Sequence, residues 1–443
     1  MMSSGLIQQD FIPECLERGS FLTAPTFERF SVVVGKANFF LAEKRSITIK
    51  SCETIRHRVK KGQLMKANCM SFTQSGSEID WYYVDGLRLW FTSSNSNDDK
   101  KSKEALPVQI GYFHVLPKCG KESPVQDTMD SLTQKLTNQL ASQPLAGRLL
   151  AVEAIEVRGV KLCELLDPDA ATGNPKPQSD AVMTFLRVWY ECDPQARSRV
   201  SVGLATFVPE LNLEKCVTLI SGKEYMRLHK GSVERHGRVM EYVNSWKESM
   251  PENSRILNIK SYSTRTDEYG QYDCHSTYKK VHRRPAWGHY HLRFIRVFFT
   301  AILNEDDGPP LYPSVIPRIT CKLFLPALVQ RGFFNRGSPF EPKKDLLARL
   351  EKWTSFTGAN IISVETVAYK AFTGAEGKYG LDVMCTRDMY HHQKDSGNVP
   401  TPECYVIGYR VFMEGLFGDP DGFEWPPSID GPRAPKEDAC SIQ

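Results

Sequence analysis

Apolar residues fall at spacings of three and four in four separate stretches of the chain. They are Phe27, Phe30, Val34, Ala37 and Leu41; Met129, Leu132, Leu136 and Leu140; Val239, Val243 and Trp246; and Leu346, Leu350, Trp353 and Phe356. Such spacing puts each set on one stripe of a helix. Each stretch leads into a short strand-like run: Ser51-Cys52-Glu53-Thr54-Ile55, Ala151-Val152-Glu153-Ala154-Ile155, Asn258-Ile259-Lys260-Ser261-Tyr262 and Ser363-Val364-Glu365-Thr366-Val367. A second strand, built around an arginine, follows a loop of variable length. It reads Leu87-Arg88-Leu89-Trp90, Leu186-Arg187-Val188-Trp189, Ile295-Arg296-Val297-Phe298 and Tyr409-Arg410-Val411-Phe412.

Helix, strand and arginine strand recur in the same order about every 100 residues, which is the signature of an internal repeat. Three alternating runs that end in proline, from residues 112 to 117, 204 to 209 and 319 to 326, complete the first three units, because proline cannot donate to a ladder. No third strand is evident in the fourth. The expected fold is α+β, with four tandem units of an amphipathic helix and a mostly antiparallel meander of two to three strands. The unit bounds are 11–118, 126–210, 228–327 and 329–417. A proline-rich tail, 418–443, is expected to lack regular structure.

The arginine strands have apolar residues on both faces, so they are expected at the centres of their sheets. A buried arginine needs a partner. The glutamates of the preceding strands supply one by cross-strand pairing, giving the expected ion pairs Glu53–Arg88, Glu153–Arg187 and Glu365–Arg410. Lys260 stands where the other units have glutamate and leaves Arg296 without its expected partner. That break marks Lys260, His289, His291 and Arg296 as a candidate ligand site. His289 and His291 have usable metal-ligand spacing, but the surrounding cations oppose a bound cation, and no metal or cofactor is expected. The same stretch carries a basic strip interleaved with aromatics, Lys279, Lys280, Arg283, Arg284 and Arg293, which suits an anionic surface such as lipid headgroups.

Composition narrows the function classes. The 443 residues hold 41% apolar and 24% charged residues, which excludes wholesale disorder. The net charge of +4, from 56 cationic and 52 acidic residues, argues against a dedicated nucleic-acid binder. Twelve scattered cysteines without a Cys-x-x-Cys pair, and no N-glycosylation sequon, fit a reducing intracellular compartment. No signal peptide or membrane-spanning run is evident, nor is a phosphate loop, His-Glu-x-x-His or Gly-x-Ser-x-Gly motif. The last four residues, Cys440-Ser441-Ile442-Gln443, match a farnesylation signal at Cys440, and one lipid anchors reversibly. The expectation is a non-enzymatic cytoplasmic repeat protein, partly membrane-associated, that binds a protein partner. The alternative is a ligand-binding protein or enzyme centred on the third unit.

Overall fold

The computed structural model describes residues 5–19, 25–44, 46–60, 68, 70–74, 81–93, 107–118, 127–158, 166–173, 181–198, 200–212, 217–220, 223–226, 232–251, 254–266, 271–280, 289–302, 317–329, 340–372, 384–388 and 403–426. The fold is α+β, with four long helices among the described residues and antiparallel sheets throughout. The helices are α1 (Phe30–Glu43), α2 (Met129–Ser142), α3 (His236–Glu248) and α4 (Lys343–Thr357). Each buries the stripe that its apolar spacing predicts, down to Leu132, Leu136 and Leu140 in α2 and Leu346, Leu350 and Trp353 in α4. Phe27 instead lies in a short strand before α1, and Phe356 is turned out to solvent.

Helix ends are fixed locally. Thr128 and Ser131 form a reciprocal capping box at the start of α2, satisfying donors that have no partner within the helix. Gly358 ends α4 at φ 59°, a left-handed conformation that glycine adopts without the penalty of a side chain. The N-terminus of α1 is capped from outside, where Asp169 accepts from the Ser31 amide at 2.9 Å and Arg29 and Tyr112 bond the same carboxylate.

Among the described residues four sheets share one order of three principal strands. Sheet one runs β1 (Ile7–Phe11), β3 (Trp81–Ser93), β2 (Ile47–Lys60), and sheet two runs β4 (Ile110–Val115), β6 (Ala181–Ser198), β5 (Leu145–Arg158). Sheet three runs β7 (Val200–Phe207), β9 (His289–Ile302), β8 (Ser254–Arg265), and sheet four β10 (Ile319–Phe324), β12 (Glu403–Glu414), β11 (Asn360–Phe372). The arginine strands β3, β6, β9 and β12 are the centres. Along the chain each sheet is therefore strand, helix, long strand, centre strand.

This order corrects the assignment of the short strands. The runs at 112–117, 204–209 and 319–326 were expected to close the sheets before them. They pair instead with β6, β9 and β12 of the sheets that follow. Sheet one takes its short strand from Ile7–Phe11, mostly ahead of the expected first unit, and the fourth sheet gains the one it had lacked. Alternation along a strand says which face it buries but not which of two neighbours it joins.

The four sheets close on themselves. The long strands touch in a cycle, β2 with β5, β5 with β8, β8 with β11 and β11 with β2. A short strand from each sheet's loop also pairs with the centre strand of the preceding sheet: Thr172–Gly173 with β3, Tyr278–Lys280 with β6 and Cys385–Asp388 with β9. Ser71–Gln74, from sheet one, pairs with β12 of sheet four and completes the circle.

Candidate axial site

Where the long strands meet, two layers of side chains face one another across the ring axis. In the deeper layer, Glu53, Glu153, Lys260 and Glu365 stand opposite Arg88, Arg187, Arg296 and Arg410 in cross-strand register. All four arginines are at most 4% exposed. Of the expected ion pairs, only Glu365–Arg410 is direct, at 2.5 Å.

In the first two sheets a hydroxyl from the adjacent sheet stands between the partners. Thr54 donates its amide and its hydroxyl to Glu153, at 2.9 and 2.6 Å, and its oxygen accepts from Arg187 Nη1 at 2.9 Å. Thr366 does the same for Glu53, at 2.9 and 2.7 Å, and for Arg88. Ser261 binds Glu365 and Arg410 in the third copy of this arrangement. The Glu153 and Glu53 carboxylates are each held by an amide and a hydroxyl of another long strand, donors that burial would otherwise leave unpaired, whereas Glu365 accepts from Ser261 and still reaches Arg410.

Arg88 finds its carboxylate in Asp10, through two bonds of 2.7 Å. The sequence reading missed Asp10 because it missed β1, although the register pairs the two residues directly. Burial opposes ionisation of Asp10, but Arg88 and Lys343 outweigh it and hold its carboxyl at about 2. Arg187 makes its remaining bonds to His114 Nε2 and the Pro168 carbonyl, and stacks 3.8 Å from the Phe30 ring centre.

Lys260 extends across the axis to Glu153 at 2.9 Å and Glu53 at 3.4 Å. Burial disfavours its charge, yet the two carboxylates more than restore it and raise its proton affinity above that of an ordinary lysine. Burial likewise pushes Glu153 up, and Lys260, Thr54 and Trp189 bring it below its usual value. The exchange of glutamate for lysine is accommodated one sheet away. Sheet two carries Ala154 where the others have Thr54, Ser261 and Thr366, and the Ala154 amide donates to the Tyr262 hydroxyl at 3.1 Å.

The structure does not gather the candidate site of the third unit. Lys260 is committed to the glutamates, while Arg296 lies between Tyr262 and Phe294 and donates to the Cys274 carbonyl. His291 is five residues from Arg296 along β9 and so lies on its opposite face, and the side chain of His289 lies outside the described residues. Of the basic strip, Lys279 donates to Thr264 at 3.1 Å and Arg293 to the Ala368 carbonyl at 3.2 Å. Burial lowers the proton affinity of both. The side chain of Lys280, and Arg283, Arg284 and Cys440, lie outside the described residues. Among those described, no group of acidic, histidine or cysteine side chains is placed to hold a metal.

The shallower layer was not foreseen. Each long strand has a register shift near its start that inserts one residue opposite the centre strand, and these residues are Lys50, Leu150, Leu257 and Ile362; further shifts fall at Cys192/Arg197 and Lys370/Phe372. A bulge turns the strand and re-aims the residue that it inserts. All four line one cavity of about 370 Å³ on the ring axis. An outer tier two residues earlier, Thr48, Arg148, Arg255 and Asn360, rims the same cavity, and Lys247 of α3 and Glu414 of β12 add a wall. Arg148 bonds Glu191, Lys247 bonds Glu414 at 3.0 Å, and Arg255 donates to the Leu149 carbonyl at 2.6 Å. Among the described residues Lys50 has no acidic partner in reach. Burial, with Arg148 nearby, lowers its proton affinity.

The chain matches no protein-family model, no curated protein and no solved structure. No described helix is long and apolar enough to cross a membrane.

Proposed function

We propose that the protein is a non-enzymatic binding protein in which four copies of one strand-helix-strand-strand unit form a ring and hold a small ligand on its axis. One observation carries this reading: four equivalent bulges deliver their extra residues to a single cavity. Cavities of this size suit small molecules, and their walls combine apolar surface with a few placed polar groups. The charged layer beneath supports a structural rather than a catalytic role for the buried glutamates and for Arg88, Arg187 and Arg410, since each is bonded to neighbouring side chains. The site so proposed is on the axis and not in the third unit. An intracellular setting is part of the proposal and draws support from Cys52, Cys274 and Cys385, which are buried free thiols. The Cys440 motif adds nothing to this reading.

The test is a small-molecule screen on the full chain, read by the methyl resonances of Ile49, Ile256, Ile361 and Ile362, which border the cavity. Selective shifts of these methyls are expected. A chemically diverse library that moves none of them would overturn the proposal.

A protein partner is a second reading, favoured by the outer face of α1. Val32 and Phe39 are 44% and 70% exposed there, with open space over Gly35. Exposed apolar patches of this kind mark interaction sites. Sedimentation of wild type and Phe39→Ser over a range of concentrations tests self-association through this face, and identical monomeric profiles would remove it.

A further inference from the structure

We propose that the axial cavity binds a small oxyanion, a molecule carrying phosphate or carboxylate groups, and that the Lys50 ammonium receives it. The inference rests on the reading of the cavity as a ligand site and names the class of ligand. Its ground is the difference among four equivalent positions. Three bulges present the aliphatic residues Leu150, Leu257 and Ile362 to the axis, the first two of them buried. The first presents Lys50, at the same depth and with no carboxylate to meet it.

A lone cation in an apolar layer is unfavourable in the empty protein, because burial removes hydration without supplying a counter-charge. The neighbouring groups add to this. Arg148, which is paired with Glu191, and Arg255 enter the same cavity from two other sheets, and Arg255 has only a backbone carbonyl as its acceptor. Lys247, the fourth cation, is already neutralised by Glu414. Cations brought together from three sheets repel one another, and a bound oxyanion removes the repulsion while accepting their hydrogen bonds. Arginine suits the planar oxygens of phosphate or carboxylate, and lysine acts as a point charge beside it.

Pyrophosphate and citrate are the probes, with glucose as the neutral control, in titration calorimetry of the full chain and the same isoleucine methyl spectra. Both anions are expected to bind and to shift the methyls, and glucose to do neither. Lys50→Leu, which copies the other three bulges, should fold normally and bind at least tenfold more weakly, about 1.4 kcal/mol. Lys50→Arg should keep most of the affinity, and Arg255→Met should lose part of it. Pyrophosphate and citrate affinities unchanged in Lys50→Leu would overturn the assignment. Methyl shifts produced by neutral library members but not by either anion would overturn it too, while leaving the ligand-binding reading intact. If no molecule shifts the methyls, both fall.

Discussion

Two layers on the ring axis each contain one lysine among three residues of another kind, and the two lysines are in opposite states. Lys260 replaces a glutamate in an acidic layer, lies between Glu153 and Glu53, and holds its proton more tightly than usual. Lys50 replaces an aliphatic residue in an apolar layer, has no acid beside it, and holds its proton less tightly. They share a residue type and an axis, so the neighbours make the difference. A lysine that completes a charge network is part of the fold, whereas one left uncompensated is available to a ligand.

The largest effect is expected from breaking the deeper layer. Lys260→Met leaves Glu53 and Glu153 buried without their shared cation and should destabilise the protein by about 3–5 kcal/mol in denaturant unfolding. Adding Glu153→Gln should recover part of that loss. A change below about 1 kcal/mol in the single variant would place Lys260 outside the network and erase the contrast with Lys50.

Acid gives a middle-sized effect that sharpens the comparison because it leaves both lysines charged. His57 and His114 are held at about 4, chiefly by burial, with Arg88 and Arg187 respectively adding to the shift. The unfolded chain takes up these protons near pH 6.5, whereas the folded chain does so only near pH 4. Stability should therefore be complete above pH 6.5 and fall by about 2 kcal/mol for each of the two histidines as pH drops from 6.5 to 4. Melting temperatures over that range check the slope, and Lys50→Leu should show the same slope as wild type.

The smallest effect separates the lysines by sign. Lys50→Leu should leave stability unchanged or raise it by up to about 1 kcal/mol at pH 7, since it removes an uncompensated charge. The folded-state proton affinity of Lys50 is depressed, so its cost should vanish as pH rises toward 10.5 and the variant's advantage should shrink. Lys260 is raised, so its contribution should persist at neutral pH and fade only above 10.5. Unfolding measured from pH 7 to 11 shows whether the two trends run in opposite directions.

The helices, the order of elements and the central position of the arginine strands were legible in the sequence, because burial imposes a period of 3.6 or 2 that any single segment displays. Glu365–Arg410 was legible for the same reason, as a cross-strand pair on one face. Asp10 was not, since a five-residue strand with three consecutive polar residues, Gln8-Gln9-Asp10, carries no alternation to read. The hydroxyl bridges through Thr54 and Thr366 were not legible either, because they join segments about 100 and 300 residues apart.

The sequence by itself determined the four helices, the long strands and the arginine strands, and that one lysine stands in a row of glutamates. Only the tertiary structure decided that the short strands join the sheet ahead of them, that Ser71–Gln74 returns to sheet four, and that Lys50 shares a cavity with Leu150, Leu257 and Ile362. The reason is physical. A hydrophobic period is a property of a chain's own geometry, whereas a bulge and a closed ring are settled by which neighbouring strand satisfies each buried amide.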